Sequence, residues 1–218
     1  MKVILFGASG MVGQGVLREC LGDPGVTLVI AVVRAPLGVG NPKLVEIVHK
    51  DFTDFSAIEA ELRGADACFF CLGVSSAGMS EQRYSRTTYD YTMAAAYSFT
   101  RVNPGKTFIY VSGMGTDSTE QGRTMWARVK VRTENALLKL PLRSFMFRPG
   151  IIQPLHGIRS KTRLYQALYA GAGPVIGLIR RLWPRAVTTT EQVGRAMLRI
   201  ARQGYPRPVL ETRDINAL

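Results

Sequence analysis

The sequence is poor in the residues that build metal centres and covalent cross-links. Its 218 residues include three cysteines and two histidines. Cys20, Cys68 and Cys71 have no histidine near them, and His49 and His156 lie far apart, so no zinc-type ligand set is legible. Cys68 and Cys71 sit inside one apolar run, the pattern of a buried strand, and all three thiols read as reduced core residues of a cytoplasmic protein. Acidic residues are also scarce: 16 Asp and Glu face 28 Lys and Arg, a formal charge of +12. No apolar run approaches the ~18 residues needed to span a bilayer. The chain passes from Met1 and Lys2 straight into "VILFG", too short for the apolar core of a secretory signal.

What remains is a basic chain with an ample core. Hydrophobic residues make up 46% of it, and its length suits one domain. A basic surface attracts nucleic acid, anionic lipid or a phosphate-bearing ligand. There is no zinc finger, RNP-type aromatic motif or basic zipper region, so specific nucleic-acid binding is not expected. The positive charge is densest over 158–185, at Arg159, Lys161, Arg163, Arg180, Arg181 and Arg185.

Short apolar runs alternate with segments of helical character. Strands are expected at 2–6, 26–33, 44–48, 66–73, 107–112 and 143–149. Helices are expected at 11–21, 55–64, 80–101 and 122–139. Nearly continuous apolar strands separated by helices predict an α/β domain, a doubly wound parallel sheet covered on both faces. Residues 1–150 form this core. Residues 151–218 read as a small, mostly helical cap over the open end of the sheet, with "RPVLET" as a short strand. Thr188 and Glu191 there fit a capping box, and Gly204 a helix stop.

The first strand runs into "FGASGMVG". Gly7, Gly10 and Gly13 are spaced as GxxGxxG at a strand–helix junction. There the chain must turn sharply, let a pyrophosphate touch its backbone and start a helix close to the sheet. The free N–H groups and positive dipole of the helix N-terminus complete an anion site. Gly7, Ser9, Gly10, Met11, Val12 and Gly13 are therefore its candidates. The second strand ends "AVVRAP". A carboxylate there would bond ribose hydroxyls, as NAD requires. Arg34 stands there instead, which suits a 2′-phosphate and favours NADP(H) over NAD(H); Lys43 is a weaker helper. Asp51 and Phe52 fall where an adenine would lie. Cys71, Leu72 and Gly73 close the fourth strand, where backbone meets the nicotinamide-side ribose.

"GASGMVG", "CLG", "YVSGMG", "WARVK", "FRPG" and "TTTEQVGRAM" together resemble the atypical short-chain dehydrogenases/reductases of NAD(P)-binding Rossmann fold, in the group with epimerase-like and Tat-interacting oxidoreductase proteins. The resemblance covers nearly the whole chain. It implies a serine that orients a substrate, here Ser112, and a lysine that binds the nicotinamide ribose and lowers a tyrosine's pKa, here Lys130. It also implies a tyrosine four residues before the lysine as the proton donor. That place holds Trp126, whose indole N–H donates a hydrogen bond but supplies no proton. Tyr84, Tyr89, Tyr91 and His156 are the candidate replacements.

Two functions follow. One is an NADP(H)-dependent oxidoreductase acting on a small or lipophilic carbonyl. The other is a protein that holds NADP(H) without turnover and reports redox state to a protein partner. The segment 165–183, rich in Leu, Ile and Tyr and flanked by Arg, has the composition of a substrate-side cap and also of a peripheral membrane contact.

Overall fold

A computed structural model describes residues 1–116, 118–158 and 186–218. Seven parallel strands form one sheet in the order β3-β2-β1-β4-β5-β6-β9. They are β1 (Lys2–Phe6), β2 (Leu28–Val33), β3 (Leu44–Val48), β4 (Ala67–Phe70), β5 (Thr107–Val111), β6 (Arg143–Arg148) and β9 (Val209–Glu211). The order reverses between β1 and β4. In a doubly wound sheet a ligand crevice opens at that point, beyond the carboxyl ends of the strands.

The sheet is buried on both faces except at its β3 edge, where Val45 and Val48 are exposed, which explains the continuous apolar strands. Val3, Leu5, Phe69, Ile109 and Phe147 point to one side. Ile4, Phe6, Cys68, Phe70, Phe108 and Met146 point to the other. The first side is covered by α1 (Met11–Gly22) and α6 (Thr190–Gln203). These two helices cross closely through small residues: a methyl on Gly15 would meet Thr190 Cβ at 2.5 Å, and one on Gly194 would meet Glu19 Cγ at 2.8 Å. The second side is covered by α2 (Glu59–Leu62), α4 (Tyr91–Val102) and α5 (Met125–Leu138). Burying each large apolar side chain contributes roughly 1.5–3 kcal/mol.

Three local features depart from expectation. The helix expected at 80–101 is three pieces: α3 (Glu81–Ser85) capped by Ser80, a π-turn at Arg86–Asp90, and α4. The cap of α6 is Thr189, whose Oγ1 accepts from Gln192 N at 3.0 Å, not Thr188. β8 (Val187–Thr189), paired in parallel with β7 (Ile151–Gln153), runs through both threonines, and α6 starts only after Thr189, one residue later than expected. Gly204 ends the helix as expected, with φ 72°.

The C-terminal region is helical, but its described part is built into the sandwich. α6 packs on α1, β9 extends the sheet beside β6, and a short α7 (Thr212–Asn216) follows. The remainder of the expected cap, including the 165–183 segment and the arginines from Arg159 to Arg185, lies outside the described residues. No helix among the described residues is long and apolar enough to cross a membrane.

Candidate functional site

A groove of about 460 Å³ opens at the carboxyl ends of β1, β2 and β4, lined by Gly7, Ser9, Arg34, Phe52 and Leu72 among others. These five are among the sequence-predicted cofactor residues. Gly7 turns the chain with φ 79°, and a methyl on it would lie 2.5 Å from Leu72 N. A methyl on Gly13 would lie 2.0 Å from Gly7 O. The fold itself therefore demands both glycines.

Gly10 differs. It is the N-cap of α1 with ordinary extended backbone, φ −84°, and a methyl on it would meet only Gly7 O, at 3.3 Å. Within the protein that one tight contact is all that argues for glycine there; in a dinucleotide-binding loop the same space takes the pyrophosphate. The first turn of α1 carries no acidic residue and no side-chain cap, so the N–H groups of Met11, Val12 and Gly13 keep their positive potential for an anion. Gln14 Nε2 donates to Ser9 O at 3.1 Å and holds the loop open. By these criteria the residues fit a dinucleotide.

Arg34 is exposed on the groove's rim. Lys43 is not beside it in function: its ammonium donates to Leu21 O and Asp23 O, stitching β3 to the end of α1. Phe52 is 4% exposed and packs edge-on against Phe6 and Phe55 while contributing to the groove wall. Asp51 is exposed and closes its own turn, accepting from Thr53 N at 2.9 Å and Thr53 Oγ1 at 2.5 Å. Those two bonds hold its carboxyl below the usual range. Leu72 lines the groove; Cys71 is half-buried and Gly73 exposed at the β4 exit. Cys68 and Cys71 have Cys-x-x-Cys spacing, yet Cys68 enters one core layer and Cys71 packs on the opposite one. Burial raises both thiols far above the ordinary range, so they form no redox pair.

The other half of the carboxyl edge, at β5 and β6, is closed on itself. Ser112 does not face a cleft. It is 8% exposed, and its hydroxyl donates to Glu134 Oε1 in a short bond. The Glu134 carboxylate, 1% exposed, also accepts from Arg148 Nε at 3.1 Å and from Arg148 Nη2. Sequence reasoning passed over Glu134 and Arg148. The signal was present: an acid one turn after Lys130 and an arginine ending an apolar strand are both costly unless paired.

Lys130 donates to Ser112 O at 2.8 Å and Val111 O at 3.2 Å, and lies 5.4 Å over the Tyr110 ring. Burial lowers its pKa to about 8, with Glu134 acting in the opposite direction. Trp126 is half-buried and rests on the β5 exit loop: methyls on Gly113 and Gly115 would each meet its six-membered ring at 3.8 Å.

The replacement acids are engaged elsewhere. Tyr84 is 2% exposed in the core. Tyr89 lies under the Arg132 guanidinium, 4.4 Å from the ring centre. Tyr91 packs against Phe52. His156 Nε2 is 2.6 Å from Glu191 Oε2 on α6, a carboxylate that also binds Arg195 at 2.7 Å. None is brought beside Ser112.

Comparison with known proteins fits this geometry. The family described as NAD(P)H-binding matches residues 7–144. Rat protein HTATIP2 is 26% identical over 154 residues, which cover 69% of this chain and 62% of the rat protein. The chain thus spans less than two thirds of that relative's length. The mitochondrial protein fmp52 of Emericella nidulans is 27% identical over 194 residues, covering 84% of this chain and 80% of the relative. Among solved structures, a short-chain dehydrogenase/reductase-family oxidoreductase from Burkholderia thailandensis superposes with TM-score 0.68 at 16% identity, over 98% of this chain and 92% of that one. At that identity the likeness speaks to the fold.

Proposed function

The chain belongs to the NAD(P)H-binding family, and on that premise we propose that it is an NADP(H)-binding, oxidoreductase-like protein that prefers NADP(H) to NAD(H). The supporting observation is Arg34. It stands on the rim of the groove at the end of β2, makes no hydrogen bond or ion pair among the described residues, and has no carboxylate beside it. A guanidinium so placed favours a 2′-phosphate through charge-assisted hydrogen bonds. Met11, Val12 and Gly13 offer their N–H groups to the pyrophosphate, Phe52 offers an apolar wall to the adenine, and Leu72 and Gly73 bring backbone to the nicotinamide-side ribose. To reach that ribose, Lys130 on α5 would leave the carbonyls of Val111 and Ser112. Bound NADPH supplies a hydride from its nicotinamide ring. The oxidoreductase reading takes a small or lipophilic carbonyl as the acceptor.

The test is a titration with NADPH and NADH. A charge-assisted hydrogen bond contributes about 1.5–3 kcal/mol, so NADPH should bind about tenfold tighter or more. Arg34→Ala should remove most of the difference. Equal affinities in the native protein defeat the preference.

A second reading, that the protein holds NADP(H) without turnover and reports to a protein partner, is favoured by a different observation. The Ser112 hydroxyl is spent on Glu134, and indole stands where a phenol would donate the proton. Absence of NADPH oxidation with every acceptor, despite tight binding, would select it.

A further inference from the structure

Among the described residues, the β5 end of the site commits its polar side chains to partners within the protein and turns apolar ones outward. Ser112 has one hydroxyl proton, and Glu134 takes it. The Lys130 ammonium is turned to the carbonyls of Val111 and Ser112. What faces outward is Trp126 on the Gly113–Gly115 turn and Met114, which is 53% exposed although apolar.

From this juxtaposition we propose that the acceptor is of the quinone class, seated against Trp126 and Met114; the proposal rests on the groove being an NADP(H) site. The chemistry divides carbonyl acceptors sharply. An aldehyde that accepts hydride becomes an alkoxide, about as basic as hydroxide, whose conjugate acid water has pKa 15.7. It needs an acid in the transition state, worth roughly 10²–10⁴ in rate. A quinone that accepts hydride becomes a phenolate-type anion, with a conjugate acid near pKa 10. That anion is stabilised by its own ring. The quinone gains two electrons and one hydrogen nucleus, NADPH becomes NADP⁺, and the hydroquinone monoanion takes its second proton from water. The protein then need only hold an aromatic plane in place. Indole stacks on such a plane, and a thioether adds a polarisable, adaptable contact. The same surface that makes a poor aldehyde reductase makes a suitable quinone seat.

The experiment pairs 1,4-naphthoquinone with 2-naphthaldehyde, acceptors of one ring size, in anaerobic NADPH oxidation, after NADPH binding has been measured by itself. The expected kcat/KM ratio favours the quinone by about 100-fold or more. Naphthoquinone should also quench tryptophan fluorescence in the native protein loaded with NADP⁺, which cannot reduce it, and Trp126→Phe should lose most of that quench. Trp126→Leu should raise the quinone KM up to about tenfold, the range of an aromatic pair. Trp126→Tyr should narrow the quinone-to-aldehyde ratio by raising the aldehyde rate. Equal rates for the two acceptors, or no reduction of the quinone by protein that binds NADPH, overturns the proposal and leaves the nucleotide site standing. Failure to bind NADPH overturns both. Should Trp126→Leu not fold, the quench and the Trp126→Tyr ratio still decide.

Discussion

The two halves of the sheet's carboxyl edge are built on opposite plans. Around β1, β2 and β4 the polar groups wait: the N–H groups opening α1 have no cap, Gly10 leaves space no protein atom fills, and Arg34 has no partner among the described residues. Around β5 and β6 they are consumed. Ser112, Glu134 and Arg148 satisfy one another, and Lys130 is held by two carbonyls. Unpaired polar groups are costly when buried and cheap in an open groove that water reaches, so only the closed half must satisfy its own. That half is framework. The difference teaches that a serine and a lysine at the expected spacing do not by themselves make an acid–base centre.

The largest effect should come from breaking the closed half. Glu134→Ala leaves the Arg148 guanidinium, whose side chain is 8% exposed, with the more distant and half-exposed Glu211, at 3.6 Å, as its carboxylate partner. Removing one partner of a buried pair costs about 3–5 kcal/mol, which in a domain of this size lowers the melting temperature by roughly 10 °C. Replacing both, Glu134→Leu with Arg148→Met, should recover most of that loss, since a dry isostere leaves no orphan charge. Urea unfolding of the three proteins measures it. If the single variant is as stable as the native chain, the cluster is not the framework described.

The open half should respond in binding and not in stability. Gly10→Val should abolish measurable NADPH affinity while its unfolding transition stays close to the native one, because a side chain there meets only Gly7 O. Gly13→Ala should instead destabilise the fold, its methyl falling 2.0 Å from Gly7 O. One motif thus holds two glycines with separate reasons. Thermal melts with and without NADPH separate them, and a Gly10 variant that binds normally would move the phosphate site elsewhere.

That contrast also marks what the sequence could and could not reveal. Strands buried on both faces carry their signal in every residue, so β1 was legible to the residue; the edge strand β3 was equally legible although Val45 and Val48 are exposed, and the glycine loop declared the crevice. Trp126, one helical turn before Lys130, was equally plain. Tertiary commitments were not. Thr188 and Thr189 have the same cap chemistry, and only the reach of β8, paired with β7 through Thr189, puts the helix start after the second of them. The π-turn at Arg86–Asp90 leaves the apolar pattern on both sides intact. Ser112 carries the right residue type at the right strand end, and only the position of Glu134, brought from α5, shows that its proton is spent. The role of 186–218 rests on α1 and β6 as docking surfaces, which no local pattern in that segment names.

The smallest effect tests whether Lys130 belongs to the closed half, and it is read from pH. Burial lowers its pKa from 10.5 to about 8. Below pH 8 both folded and unfolded chains carry the charge, and the folded state bears the full cost of holding it away from water. Between pH 8 and 10.5 the folded chain releases the proton while the unfolded chain keeps it. The unfolded state then binds more protons, so this group makes the fold more stable as pH rises. Other groups oppose it: burial raises the Cys20 thiol to about 12 and the Tyr110 phenol above its usual value, and both lower stability at alkaline pH. A bare pH profile would mix these contributions. The difference between the native protein and Lys130→Met cancels them, because the variant keeps Cys20 and Tyr110. From pH 8 to pH 9 that difference should move in favour of the native chain by roughly 1 kcal/mol, measured by urea unfolding at each pH. A difference that stays flat would mean the ammonium reaches water freely, and the lysine would then belong with Arg34 among the groups that wait for a ligand.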